Sequence, residues 1–86
     1  MTTEAKSWHS LQEMLGSNYK QGKKCLYKEL NSGLRIEVTG TMSDEFPRHF
    51  NVYLIDGDNE IGQSAGVPQE KLLQEIDLMC YLAGAI

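Results

Sequence analysis

Four side chains could by their type ligate a metal or pair as a nucleophile and its base: His9, His49, Cys25 and Cys80. A zinc site needs several such groups brought together, usually with two of them closely spaced in the chain. Here the cysteines lie 55 positions apart and no C-x-x-C occurs, so neither a zinc knuckle nor a thioredoxin-like pair is expected. A thiol beside an imidazole would be an activated nucleophile, but Cys80 falls on an apolar helical stripe and reads as a small buried hydrophobe. Asp56, Asp58 and Glu60 alternate like the start of a calcium loop. The loop's sixth position is then Ile61 instead of glycine and its twelfth Val67 instead of glutamate, so a tight strand turn is the better reading. Asp44 and Glu45 form an acidic pair with no partner for general acid–base work. Gly57, Gly62 and Gly66 make no phosphate-binding fingerprint. The residues therefore imply no enzyme, no cofactor and no metal; a small enzyme or ligand carrier remains an alternative that needs a closed pocket near a thiol or histidine.

The elements that would position these residues follow from hydrophobic spacing. Trp8, Leu11 and Leu15 lie on one face of a 3.6-residue period, predicting a helix from Glu4 to Leu15 that stops at Gly16. Ser10 and Glu13 have capping-box spacing, an alternative later start. Ser17 to Lys24 reads as a polar loop. Cys25 to Leu30 and Leu34 to Thr39 alternate with a period of two around Asn31-Ser32-Gly33, predicting a hairpin. Met42 to Arg48 reads as a loop and His49 to Ile55 as a third strand. After the turn Asp56-Gly57-Asp58-Asn59, Glu60 to Ala65 is a short, edge-like fourth strand weakened by Gly62. Pro68 then opens the last helix. The expectation is one α+β domain over residues 1–86. Its order is α-β-β-β-(β)-α, an antiparallel three- to four-stranded meander with both helices on one face.

A chain of 86 residues has room for one core. Its 41% hydrophobic and 23% charged residues are a globular balance, not a disordered one. No apolar run approaches the ~20 residues that span a bilayer, and the N-terminus has no signal-peptide pattern. A cytoplasmic protein with reduced cysteines and no membrane contact is expected. Residues 1–43 hold six basic and four acidic side chains, residues 44–86 two basic and eight acidic, for a net charge of −4. Such a dipolar chain suits docking on a basic partner surface, or head-to-tail self-association, better than wholesale binding of polyanions.

The last helix carries more apolar surface than one core contact uses. Leu72, Leu73, Ile76, Met79, Cys80 and Ala83 form a broad stripe assigned to the core. Leu78, Tyr81, Leu82 and Ala85, spaced i, i+3, i+4 and i+7, form a second. A domain this small can hardly cover both, so the second stripe implies a contact with a protein partner or a second copy, most simply a homodimer. On the sheet, Tyr27, Arg35, Glu37, Asn51 and Tyr53 would stand on the face away from the helices. Aromatic and arginine side chains there are candidate contacts, although cross-strand pairing also accounts for them. The expected function is thus a non-catalytic interaction module, a small acidic regulator or inhibitor.

The alternative is a nucleic-acid binder. Phe50-Asn51-Val52-Tyr53, with Gly62-Gln63-Ser64-Ala65-Gly66 before the last helix, resembles the second and third strands of double-stranded RNA-binding domains. The resemblance covers under half the chain. It implies an α-β-β-β-α fold and a basic grip on phosphates at the start of the last helix, where this chain has Val67-Pro68-Gln69-Glu70-Lys71. A separate basic run, Lys20, Lys23, Lys24 and Lys28, flanked by Tyr19 and Tyr27, could touch a nucleic-acid backbone.

Overall fold

The computed structural model describes residues 5–40, 46–82 and Gly84. Helix α1 (Trp8–Leu15) is followed by strands β1 (Lys20–Gly22), β2 (Cys25–Glu29), β3 (Leu34–Gly40), β4 (His49–Asp56) and β5 (Asn59–Pro68), then helix α2 (Leu72–Leu82). The strands form one antiparallel sheet in the order β1-β2-β3-β4-β5. The α+β class is as expected; the sheet has five strands where three to four were expected. The three-strand order of double-stranded RNA-binding domains is accordingly not the order of this chain.

Helix α1 begins later than the Trp8 stripe suggested. Ser7 is extended and caps it: its hydroxyl accepts from Ser10 N–H at 3.1 Å, and Ser10 Oγ accepts from Ser7 N–H at 3.0 Å. The capping box is therefore Ser7/Ser10, not Ser10/Glu13, and Ala5 and Lys6 are not helical. Gly16 ends the helix at φ 130°, a region open chiefly to glycine. The segment read as a loop contains β1, a three-residue strand of Lys, Gln and Gly with no apolar alternation to betray it.

Register sorts the side chains into two faces. Leu26, Val38, Val52 and Ser64 stand in one row, Lys28, Ile36, Leu54 and Gly62 in the next. Leu26, Ile36, Val38, Phe50, Val52, Leu54 and Val67 are buried on that face beneath Leu11, Leu72, Ile76 and Cys80 of the helices. Trp8 reaches Phe50 and Phe46 edge-on at centroid distances of 5.9 and 5.5 Å. Glu75 of α2 accepts from Ser64 Oγ of β5 at 3.0 Å. Both helices thus cover the same face, α1 over β1 and β2, α2 over β4 and β5.

β5 is longer than its sequence suggested because its irregularities are absorbed as bulges. Between the pairs Leu54–Gly62 and Ile55–Glu60 it has one extra residue, Ile61. Between Val52–Ser64 and Phe50–Val67, β4 uses Asn51 alone where β5 uses Ala65 and Gly66. Gly66 takes φ 67°, and its N–H donates to Asn51 Oδ1 at 3.3 Å. The strand therefore runs through Pro68. A single 3-10 turn, Gln69–Lys71, follows, and α2 starts at Leu72, not at Pro68.

Candidate functional site

Helix α2 does not use all of its expected core stripe. Leu72, Ile76 and Cys80 are buried and Met79 packs partly against them. Leu73 is exposed, a correction to its assignment to the core. The i, i+4, i+8 spacing of Leu72, Ile76 and Cys80 fills the space over β4 and β5, and Leu73 sits one step round the helix from it. Leu78, Tyr81 and Leu82 are 50%, 73% and 75% exposed. Ala83 and Ala85 lie outside the described residues.

Beside this exposed flank lies an open groove of about 540 Å³. Its floor is Leu34, Leu54 and Gly62; its walls are Ile61, Gln63 and Ser64 of β5 and Glu75, Leu78, Met79 and Leu82 of α2. Gly62 keeps the floor low: a Cβ there would stand 3.5 Å from Leu54 Cβ and 3.9 Å from Met79 Sδ. Ile61, pushed out by its bulge, is 54% exposed at the rim. The site is apolar, with the Ser64–Glu75 hydrogen bond as its polar mark. The groove was not legible in the sequence, because it needs the bulge at Ile61 and the angle of α2 over β5. Gly62 was the available signal, and it read only as a weak strand position.

The opposite face of the sheet is covered by neither helix among the described residues. Register aligns Lys20, Tyr27, Glu37, Tyr53 and Gln63 across it, with Glu29, Arg35, Ile55 and Glu60 in the next row. Tyr27, Arg35, Glu37, Asn51 and Tyr53 thus share one face. Arg35 Nε donates to Glu37 Oε2 at 2.8 Å, so its charge is answered within its own strand. The lysine run is divided. Lys20 belongs to the Tyr27 face, Lys23 and Lys24 to the β1–β2 turn, and Lys28 to the helix-covered face, with Nζ 5.7 Å from the Tyr19 ring centroid. Lys20 and Lys28 thus belong to opposite faces of the sheet.

The candidate chemical groups are dispersed. Cys25 lies on the open face opposite Thr39, and Cys80 is buried beneath α2. Burial, with Glu37 adding to it, pushes the Cys25 thiol up; burial, against a lowering by Lys28, pushes the Cys80 thiol up. His9 is exposed and pairs with Glu13 at 2.9 Å. Among the described residues no three His, Cys, Asp or Glu side chains converge on a metal-sized point, and no helix is long and apolar enough to cross a membrane. No known family model, curated protein or solved structure matches the chain.

Proposed function

We propose that this protein is a non-catalytic interaction module, a small regulator or inhibitor that docks the exposed flank of α2 and its groove onto a basic surface of a partner protein. One observation carries the reading: Leu78, Tyr81 and Leu82 of α2 stand 50–75% exposed, and Leu78 and Leu82 also line an apolar groove. Contiguous apolar surface of this kind is costly in water and typical of contact sites. The charge of the partner follows from the sheet. Strand order equals chain order, so the basic first half and acidic second half of the sequence become two sides of the molecule. The groove belongs to the acidic side. Two thiols on opposite faces of the sheet cannot bridge each other, which accords with a reducing, cytoplasmic setting.

Photo-crosslinking in cells of the source organism tests this. A photoreactive residue at position 81 or 82 is expected to trap a protein with a basic contact surface, and the same residue at position 27 or 53 is not. Adducts from 27 or 53 alone, with none from 81 or 82, would overturn the proposal. Adducts joining two copies of this chain would replace the partner with a homodimer.

A further inference from the structure

We infer that the outer edge of β5 accepts an extended, lysine- or arginine-bearing segment of a partner protein as a sixth strand, whose apolar side chains enter the groove against Leu78 and Leu82. The inference rests on the docking role of α2 and specifies the chemistry of what docks.

Among the described residues β5 is the last strand of the sheet, ten residues long, with β4 as its one neighbour. No described strand lies beside its other edge, and an edge of this kind is the usual template for strand addition. Natural edges are commonly guarded by lysine, proline, β-bulges or extreme shortness. β1, the other edge, has such guards: it is three residues long and begins with Lys20. β5 has bulges at Ile61 and at Ala65–Gly66 and ends in Pro68, but Gly62–Ser64 between the bulges carries no lysine, proline or charge, and the strand's one charged residue is Glu60. A strand added about 4.8 Å beyond β5 would run along the outer flank of α2. Opposite Gly62–Ser64, alternate side chains of such a strand would face the groove beside Leu78 and Leu82, and the others the open face.

The charges choose the occupant. Residues 49–82 hold six acidic side chains and one basic one, Lys71, which lies in the 3-10 turn before α2. Among the described residues Glu75 is the one charged residue lining the groove, and Glu60 stands on the open face of β5 in the row of Ile55. A second copy presented through its own β5 would bring Glu60 and no basic side chain to answer these carboxylates. Presented through β1 it would bring lysine, but only as Lys20-Gln21-Gly22, with no apolar side chain to fill the groove. A segment alternating basic and apolar residues would turn its apolar side chains to the groove and its basic ones to the open face, the side of Glu60.

Fluorescence polarisation with a labelled ten-residue peptide alternating Lys and Val is the test, on the full chain. Binding is expected to weaken about tenfold or more when alternate peptide nitrogens are methylated, when Glu replaces Lys in the peptide, and in the Glu60→Lys and Leu78→Asp variants. Hydrogen exchange should slow at alternate β5 amides when the peptide binds. Equal affinity for the N-methylated peptide, or unchanged β5 exchange, overturns strand addition. So does absence of peptide binding. A Lys/Leu peptide of helical spacing that binds instead, sensitive to Leu82→Asp and without β5 protection, removes this inference but keeps the docking role of α2. Light scattering that shows the chain self-associating with its own β5 amides protected assigns the edge to a second copy and overturns the choice of partner. Failure of the docking role itself is read separately, from crosslinking at positions 81 and 82.

Discussion

Tyr19 is the side chain whose acid–base behaviour the fold changes most. It is buried, with Lys28 Nζ over its ring, and burial, reinforced by Cys80 and Asp77, raises its pKa from 10.0 to about 12. Below pH 10 the phenol is protonated in both folded and unfolded chains, and its packing contributes in full. Between pH 10 and 12 only the unfolded chain ionises, so the unfolded state gains and stability falls as pH rises through the folded value. Urea denaturation at pH 8, 10 and 11.5 should show this loss, and Tyr19→Phe should make it smaller; an equal loss in the variant would contradict the assignment. The two thiols follow the same logic at lower pH. Raised by burial, Cys80 is expected to resist iodoacetamide at pH 7.5 until urea unfolds the chain, with mass spectrometry locating the adduct. Labelling of Cys80 in the native chain at the rate of a free thiol would show that α2 opens readily. At the centre of the core, Phe50 is fully buried and meets both Trp8 and Phe46 edge-on. Phe50→Ala should cost about 3–5 kcal/mol, measured as a fall in the urea midpoint.

Elements were legible where hydrophobic spacing alone determined them. Leu34, Ile36 and Val38 against Phe50, Val52 and Leu54 gave β3 and β4 nearly to the residue, because alternation is the physical requirement of a sheet with one buried face. β1 was illegible because it is held by pairing with β2, through Lys20–Tyr27 and Gly22–Cys25, and not by burial of its own side chains. The start of α2 was misplaced because Pro68 suits a first helical turn as well as the end of an edge strand, and only pairing with His49 decides between them. The exposed flank of α2 was visible in its spacing, but the groove was not, since a cavity depends on how two elements are set against each other. Gly40 illustrates the same dependence at one joint. It pairs with Phe50 at the end of β3, and a Cβ there would lie 2.5 Å from Cγ of buried Pro47. A closed ring cannot swing aside, so Gly40→Ala should lower stability by about 1–3 kcal/mol in thermal or urea unfolding. A neutral result would mean that the chain around Pro47 yields at little cost.

At the scale of the whole molecule, the segment before α1 is joined to the turn before α2. Gln69 closes a two-point amide contact with Ala5, its Oε1 accepting from Ala5 N–H at 2.8 Å and its Nε2 donating to Ala5 C=O at 3.0 Å. This ties the segment before α1 to the turn that launches α2, so both helices are referenced to one another as well as to the sheet. A helix held in this way can leave apolar side chains in water without reorienting to bury them. That separates two costs which a disordered or loosely attached helix would confound. Leu82 lies outside the core, so Leu82→Asp should change folding stability by no more than about 0.5 kcal/mol. Ile76, buried four residues before Cys80 on the same helix, should cost about 2–5 kcal/mol when cut to alanine. If Leu82→Asp instead destabilised the chain as much as Ile76→Ala, the flank would be part of the fold. If it left stability unchanged but abolished crosslinking from position 81, the same side chain would be shown to serve the contact and not the core. Urea midpoints for the two variants, read beside that crosslink, place each face of α2 on one side of this division.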